Sequence, residues 1–393
     1  MVGGKDYGAR SLDRATRDGA ITPRDADLVR EFCDELEATK GISHRRRDKL
    51  TSSLVTWRRF IGPFEGVDTA GLHRGLRAMK KGRTWKGTPF RPNTAADLVA
   101  ILKQFFFWMV ERQHSRIPTR EIERVEVPAR DGMVWTAADM LTKEEVEAMI
   151  RVCRRDADRA ALYVLYEGAL RIGELAQLRW GDLAFDESGV KMNIEFKTRK
   201  PRYIRLVMAT EHLARWRANY PGDPSGEALV FINRLGRPLT HAQASKQIRR
   251  IAGRAGIKKR ITPHLFRHSR ITHLIGDGAQ ESVVKLVCWG DVGSRMLPRY
   301  LHLSGVSIDK EMARLYGLQP RGRPKKGTEF KPRQCSSCGA VSSPTTRYCA
   351  VCGASLTEEA TVRRRSISTE LRKMIAEDPE AFMQALKEVS REE

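Results

Sequence analysis

Residues 262–302 read TPHLFRHSRITHLIGDGAQESVVKLVCWGDVGSRMLPRYLH. Thr262 suits a helix cap and Pro263 the first turn behind it. His264 and Arg267 lie three apart, so they share one face of that helix. An arginine fork matches phosphate oxygens, and a histidine moves protons near neutral pH. Tyr300 follows an apolar segment. Tyrosine is a possible covalent nucleophile, although its hydroxyl is weak at an unperturbed pKa of about 10. Together these groups suit the breaking of a phosphodiester by way of a phosphotyrosine. A capped helix with a basic surface and a core-edge tyrosine would spell the same letters, so the rest of the chain has to decide.

Charge narrows the choice. The 393 residues suit two or three domains. With 71 Lys and Arg against 48 Asp and Glu, the formal net charge is +23. Such an excess favours a polyanionic partner, of which nucleic acid is the commonest. A membrane is the competing partner, but no apolar run approaches the roughly 18 residues a spanning helix needs. The start, MVGGKDYGAR, lacks the apolar region of a signal peptide. The expectation is a cytoplasmic, nucleoid-associated protein with no membrane partner.

Upstream of residue 262 the pattern is mainly helical. Residues 1–20 are polar and Gly-rich, and a flexible start is expected. Residues 21–130 carry successive helical stripes, such as Leu28, Val29, Phe32 and Leu36, then Leu98, Ile101, Leu102, Phe105, Phe106 and Met109. Within them, Arg45, Arg46 and Arg47, and the loop with Lys80, Lys81, Arg83 and Lys86, fit phosphate contacts that position a protein on DNA. Residues 116–140 read as a linker with two prolines. Thr142 and Glu145 then form a capping box. An apolar helix from Asp158 to Leu170 runs into Arg171 and Glu174, again three apart. Lys191–Phe196 and Arg202–Val207 alternate as two strands joined by a turn that holds Lys197. The fold class expected is mainly α with a small antiparallel sheet, α+β. Of the seven cysteines, Cys33, Cys153 and Cys288 read as small buried side chains.

The order of these parts, Arg171 with Glu174 in ALRIGELAQLRWGDL, Lys197, His264-x-x-Arg267 followed by His268, Trp289 and Tyr300, resembles the tyrosine recombinase (phage integrase) family. GSRMLPRYLHLSG is similar to its archaeal members. The resemblance covers the catalytic half, placed at 141–317, best over 141–305. The helical part before it resembles the family's core-binding, DNA-clamping domain in size, position and helical content. What the resemblance implies is a site-specific recombinase that cleaves and rejoins double-stranded DNA through a 3′-phosphotyrosine, assembled on DNA, as a tetramer. Tyr300 is then the nucleophile, with Tyr316 as a rival. Arg171 and Arg267 clamp the phosphate. Lys197 protonates the leaving 5′-hydroxyl, His264 handles the tyrosine proton, and Glu174 orients its neighbours. Trp289 replaces the family's usual histidine, with slightly longer spacing to Tyr300. Neither a catalytic metal nor ATP is implied. Two other readings stay open: a type IB topoisomerase-like relaxing enzyme, and a non-catalytic DNA-binding regulator.

The tail is a separate problem. Residues 318–334 form a basic segment in which Arg321 and Arg323 fit either an AT-hook or a linker. Cys335-x-x-Cys338 and Cys349-x-x-Cys352, each followed by glycine, suit four-thiolate zinc, so a zinc ribbon with a structural metal is expected over 335–356. It should fold about its own ion, apart from the catalytic set. An amphipathic helix, with Leu371, Ile375, Phe382, Leu386 and Val389, is placed at 366–390.

Overall fold

The computed structural model describes residues 7–130, 136–194, 201–233, 235–301, 316, 330–379 and 382–383. Two compact units divide the chain, Met1–Val134 and Trp135–Glu393. The described elements are mostly helices with small antiparallel sheets.

The first unit holds α1 (Tyr7–Arg17), α2 (Pro23–Lys40), α3 (His44–Trp57), α4 (Thr69–Lys81), α5 (Pro92–Glu111) and α6 (Thr119–Glu123). Each main start has a chemical signal. Thr22 and Asp25 make a capping box, and Ser43 and Asp68 cap α3 and α4. The core joins Phe32, Phe64, Phe105, Phe106 and Trp57, whose indole N–H reaches the Leu98 carbonyl at 2.8 Å. Beneath it, Asp25 is 1% exposed and accepts from the Phe64 N–H at 2.7 Å and from Arg58 Nε at 2.8 Å.

Two expectations need correction here. Within the start expected to be flexible, residues 7–17 form a helix: α1 packs on α3 through Leu12 and Ala15, and the Gly8 N–H bonds Asp48 at 2.6 Å. Its polar composition hid a narrow apolar stripe. The expected linker is also shorter, because Ile117, Ile122 and Val125 are buried in this core.

The second unit holds α7 (Lys143–Arg151), α8 (Asp156–Glu167), α9 (Ile172–Gln177), β1 (Leu183–Asp186), β2 (Gly189–Ile194), β3 (Arg202–Leu206), α10 (Thr210–Ala218), α11 (His241–Arg254), α12 (Pro263–Gly276), α13 (Glu281–Trp289) and α14 (Pro298–Leu301). The Thr142–Glu145 capping box opens α7, and Thr262 caps α12 with Pro263 in its first turn. The strands run antiparallel in the order β1-β2-β3, with Ile194 opposite Arg202. Sequence periodicity pointed to two of these strands and missed the short β1. The three scattered cysteines are buried, as expected.

Beyond residue 329, β4 (Arg333–Gln334) pairs with β5 (Val341–Ser342), and α15 (Glu358–Glu377) follows. This part is not set apart from the catalytic unit. Phe330 is 4% exposed in the second core, with its ring 5.8 Å from that of Tyr166. The buried Tyr163 hydroxyl meets Ser343 Oγ at 3.0 Å and Thr345 Oγ1 at 2.8 Å, and His212 Nε2 meets Ser343 Oγ at 3.1 Å. The last helix also begins earlier than its apolar stripe suggests, because Thr357 caps it by accepting from the Ala360 N–H. Its residues Leu371 and Ile375 are exposed, while Leu386 and Val389 lie outside the described residues.

Candidate active site

The site is assembled where α8 breaks into α9. Ala169, at the break, has φ 47°, in the left-handed region that a non-glycine residue adopts only when its surroundings hold it there. Its carbonyl accepts from Arg267 Nη1. Two residues on, Arg171 begins α9. Glu174 takes the Arg171 backbone N–H at 2.8 Å and its Nη1 at 2.8 Å. That contact leaves the outer edge of Arg171 open, since its side chain is 39% exposed while that of Glu174 is 2%.

Arg267 comes from α12. It is 4% exposed, with Nη2 2.5 Å from the Cys288 carbonyl at the end of α13. Burial and the charges of Arg171 and Arg202 pull its pKa down to about 10, which leaves it cationic at neutral pH. Its guanidinium lies 5.7 Å from the Trp289 ring, and that ring is 6.0 Å from Tyr300. Tyr300 sits on the short α14 and is only 4% exposed.

The histidine that meets Tyr300 is not the expected one. His268 Nδ1 lies 2.8 Å from the Tyr300 hydroxyl, with the two rings stacked at 5.5 Å. His264, one turn earlier, is solvent-exposed, with its ring 6.4 Å from that of His268. Burial, with the charge of Arg267, lowers the pKa of His264; burial lowers that of His268 to about 4. His268 is therefore neutral at pH 7. The HLFRH spelling contained this residue, but nothing in it said that position i+4, rather than i, would meet a tyrosine 32 residues away.

Arg202 was missed altogether. It reads as an ordinary strand residue, yet it is 4% exposed. Its Nη2 lies 2.5 Å from Glu174 Oε2, and its Nη1 donates to the carbonyls of Val287 at 3.0 Å and Cys288 at 2.7 Å. The close approach requires Gly290, whose φ is 67° and where a Cβ would stand 2.8 Å from Arg202 Cγ. Lys197, Arg321 and Arg323 lie outside the described residues. Tyr316 is 70% exposed. In the first unit Arg45, Arg46, Lys80, Lys81, Arg83 and Lys86 are exposed, whereas Arg47 is engaged by Asp34 at 2.6 Å and Glu37 at 2.8 Å.

The four tail cysteines converge, with all their sulfurs within 4.8 Å of one another. Two matching loops bring this about. The Cys335 N–H reaches the Ala340 carbonyl and the Gly339 N–H returns to Cys335, at 2.8 and 2.9 Å. Cys349, Ala354 and Gly353 repeat the arrangement at 2.7 and 2.9 Å. Gly339 and Gly353 make the turns, with φ 72° and 69°. Backbone N–H groups of Cys338 and Ser337 bring the Cys335 thiol down to about 6. Tetrahedral thiolate bonds of about 2.3 Å fit sulfurs spaced like the 3.5 Å pairs Cys335–Cys352 and Cys338–Cys349. The group can hold a metal ion. No helix among the described residues is long and apolar enough to cross a membrane.

Comparison with known proteins agrees with this geometry. Residues 139–305 match the phage integrase family. The tyrosine recombinase XerC of Xanthomonas axonopodis pv. citri (strain 306) is 29% identical over 317 residues, covering 77% of this chain and 99% of the relative. The tyrosine recombinase XerD of Ralstonia nicotianae is 26% identical over 286 residues, covering 68% of this chain and 87% of its own. A lambda integrase tetramer bound to a Holliday junction shares the fold, with TM-score 0.56 and 16% identity over 72% of this chain and 78% of that one. The Tn1549 transposon integrase with a circular intermediate DNA gives TM-score 0.52 and 17% identity over 74% of this chain and 99% of that one.

Proposed function

We propose that this chain is a site-specific DNA recombinase of the tyrosine recombinase (phage integrase) family, whose residues cleave and rejoin a strand as follows. The observation that carries the assignment is the 2.8 Å contact between His268 Nδ1 and the Tyr300 hydroxyl, beside the buried cation Arg267. Arg171 and Arg267 hold the non-bridging oxygens of one phosphodiester. Tyr300 Oη bonds to phosphorus, and its proton passes to the neutral His268. The bond from phosphorus to the 5′-oxygen breaks, and Lys197 protonates that oxygen. The 3′-phosphate stays on Tyr300. The reverse sequence, with a 5′-hydroxyl from a second strand, completes exchange. The phosphotyrosine keeps the diester energy, so the cycle runs without ATP. Tyr300 is covered in this state, so attack requires the α14 turn to present its oxygen to DNA.

Glu174 and Arg202 position the site. His264, at the exposed start of α12, supplies a third donor to the phosphate, and Trp289 packs against Tyr300. Double-stranded DNA is the substrate, contacted by the helical first unit and by the catalytic unit. Several protomers, a tetramer in the complete exchange, assemble on it. Cys335, Cys338, Cys349 and Cys352 hold a structural Zn²⁺ that closes the ribbon loops and supplies no step of the reaction.

The test uses a nicked recombination-site duplex that traps the covalent product on a denaturing gel. A protein–DNA adduct joined at Tyr300, with recombinant strands from paired sites, is expected. Relaxation of supercoils with no recombinants would favour a relaxing enzyme, and specific binding with neither product a regulator.

A further inference from the structure

The first unit carries a small device that the catalytic reading leaves unused. Between α4 and α5 the segment KKGRTWKGTPFR (80–91) holds five cations and no acid. It is a built hairpin. The Thr84 N–H reaches the Thr88 carbonyl at 2.7 Å, the Gly87 N–H reaches Thr84 at 2.9 Å, and the two threonine hydroxyls meet at 2.8 Å. Arg83 pairs with Pro89 and sends Nη1 to the Gly87 carbonyl at 2.8 Å. Gly87, at φ 74°, makes the turn. The base is anchored by Phe90, whose ring lies 6.1 Å from Phe60.

At the tip stands Trp85, 73% exposed. Its indole is held by the Arg59 guanidinium, 4.3 Å from the ring centroid, while Arg59 Nη2 bonds the Arg83 carbonyl at 2.9 Å. A large aromatic left in water gains nothing for the fold. Here the hairpin fixes its direction and a cation lies against it, which lowers the entropy lost when the ring meets a partner. The surrounding charge selects a polyanion, and a flat ring suits deoxyribose or a base.

We propose that the 80–91 hairpin is a DNA-groove contact in which the indole of Trp85 packs on a base or sugar while Lys86 and Lys80 meet flanking phosphates. The proposal rests on the recombinase reading and adds an uncharged, ring-mediated contact to the sequence-independent grip of the first unit. Charge and ring contributions separate by salt. Cation contacts release counterions, and ring contacts do not.

The experiment measures binding of the full chain to a mixed-sequence duplex across a salt series. Trp85→Ala is expected to weaken binding about tenfold with the slope of log K against log salt unchanged. Lys86→Ala should lower that slope by about 0.9, and Trp85→Phe should keep most of the affinity. Circular dichroism of each variant should match the parent, because Trp85 is exposed. Unchanged affinity in Trp85→Ala while the parent binds DNA overturns the hairpin proposal alone. So does a loss in Trp85→Ala that comes with a lowered slope. A parent that binds no duplex but binds an acidic protein overturns both readings.

Discussion

Asp25 and Glu174 are buried acids, one in each unit, at 1% and 3% exposure, and each is met by an arginine. Their surroundings differ. Asp25 faces the single cation Arg58 at 2.8 Å and fills its remaining capacity with Thr22 and the Phe64 N–H. Charge balances there, and the acid fixes the entry to α2 and the chain before α4. Glu174 touches both Arg171 and Arg202, with Arg267 buried close behind. One carboxylate cannot balance three guanidinium groups, so a low-dielectric pocket is left with excess positive charge. Such an excess costs stability unless an anion arrives. In the proposed reaction a phosphodiester is that anion. The lesson is that a buried ion pair marks a fold when its charges cancel and a reaction site when they do not.

Substitutions can break this contrast. The largest effect is expected from Tyr300→Phe, which should abolish the covalent adduct while leaving duplex binding nearly unchanged. An adduct that persists on the denaturing gel would transfer the role to another residue, Tyr316 first. Next come the arginines. Arg171→Ala should slow cleavage by about a hundredfold to a thousandfold, because it removes a donor to the charged transition state. Its urea midpoint should stay close to the parent's. Arg58→Met should do the opposite, destabilising the first unit by about 3–5 kcal/mol through the stranded Asp25. Equal losses of stability in the two variants would dissolve the distinction.

Arg202→Met should cost between about tenfold and a hundredfold in cleavage rate by letting α13 and Glu174 drift, with DNA affinity retained. Arg202→Lys should recover part of the rate. A change in affinity without a change in rate would make Arg202 a DNA contact instead. Cys335→Ser is expected to act more gently. Loss of the metal uncovers Phe330, Tyr163 and His212, so thermal unfolding of the second unit should begin several degrees lower, on the scale of about 4 °C per kcal/mol. Unchanged melting after chelation would show that the ribbon does not support the unit.

A further effect is on pH. Burial lowers His212, His268 and His273 to about 4. The folded chain refuses protons that the unfolded chain accepts near 6.5. The stability this contributes is complete above about pH 6.5 and is lost as the pH falls through about 4. Urea midpoints across that range should decline with acid, and a flat profile would mean these rings are not shielded.

Much of this was written in local chemistry. Thr262 and Pro263 announce α12, Thr142 and Glu145 announce α7, and the paired cysteines with their glycines announce the metal loops. These signals act over three or four residues, the range that a sequence displays. Arg202 and His268 were harder. Arg202 occupies an inward position of β3, but its partners come from α9 and from the end of α13, 85 and 86 residues away for the two carbonyls. His268 owes its role to the path of the chain after α13. The helix at residue 7 was hidden for another reason: two small apolar residues on a charged face suffice when a neighbouring helix supplies the rest of the core.

The carbonyl of Cys288 receives both Arg202 and Arg267. One oxygen thus serves as a shared pivot. On one side hangs β3 through Arg202, and on the other the Arg267 guanidinium proposed to hold the phosphate. A shift of β3 is expected to reach Arg267 through these two hydrogen bonds, and a phosphate held by Arg267 to act back on β3. The strand and the proposed clamp are in this way geared through one oxygen.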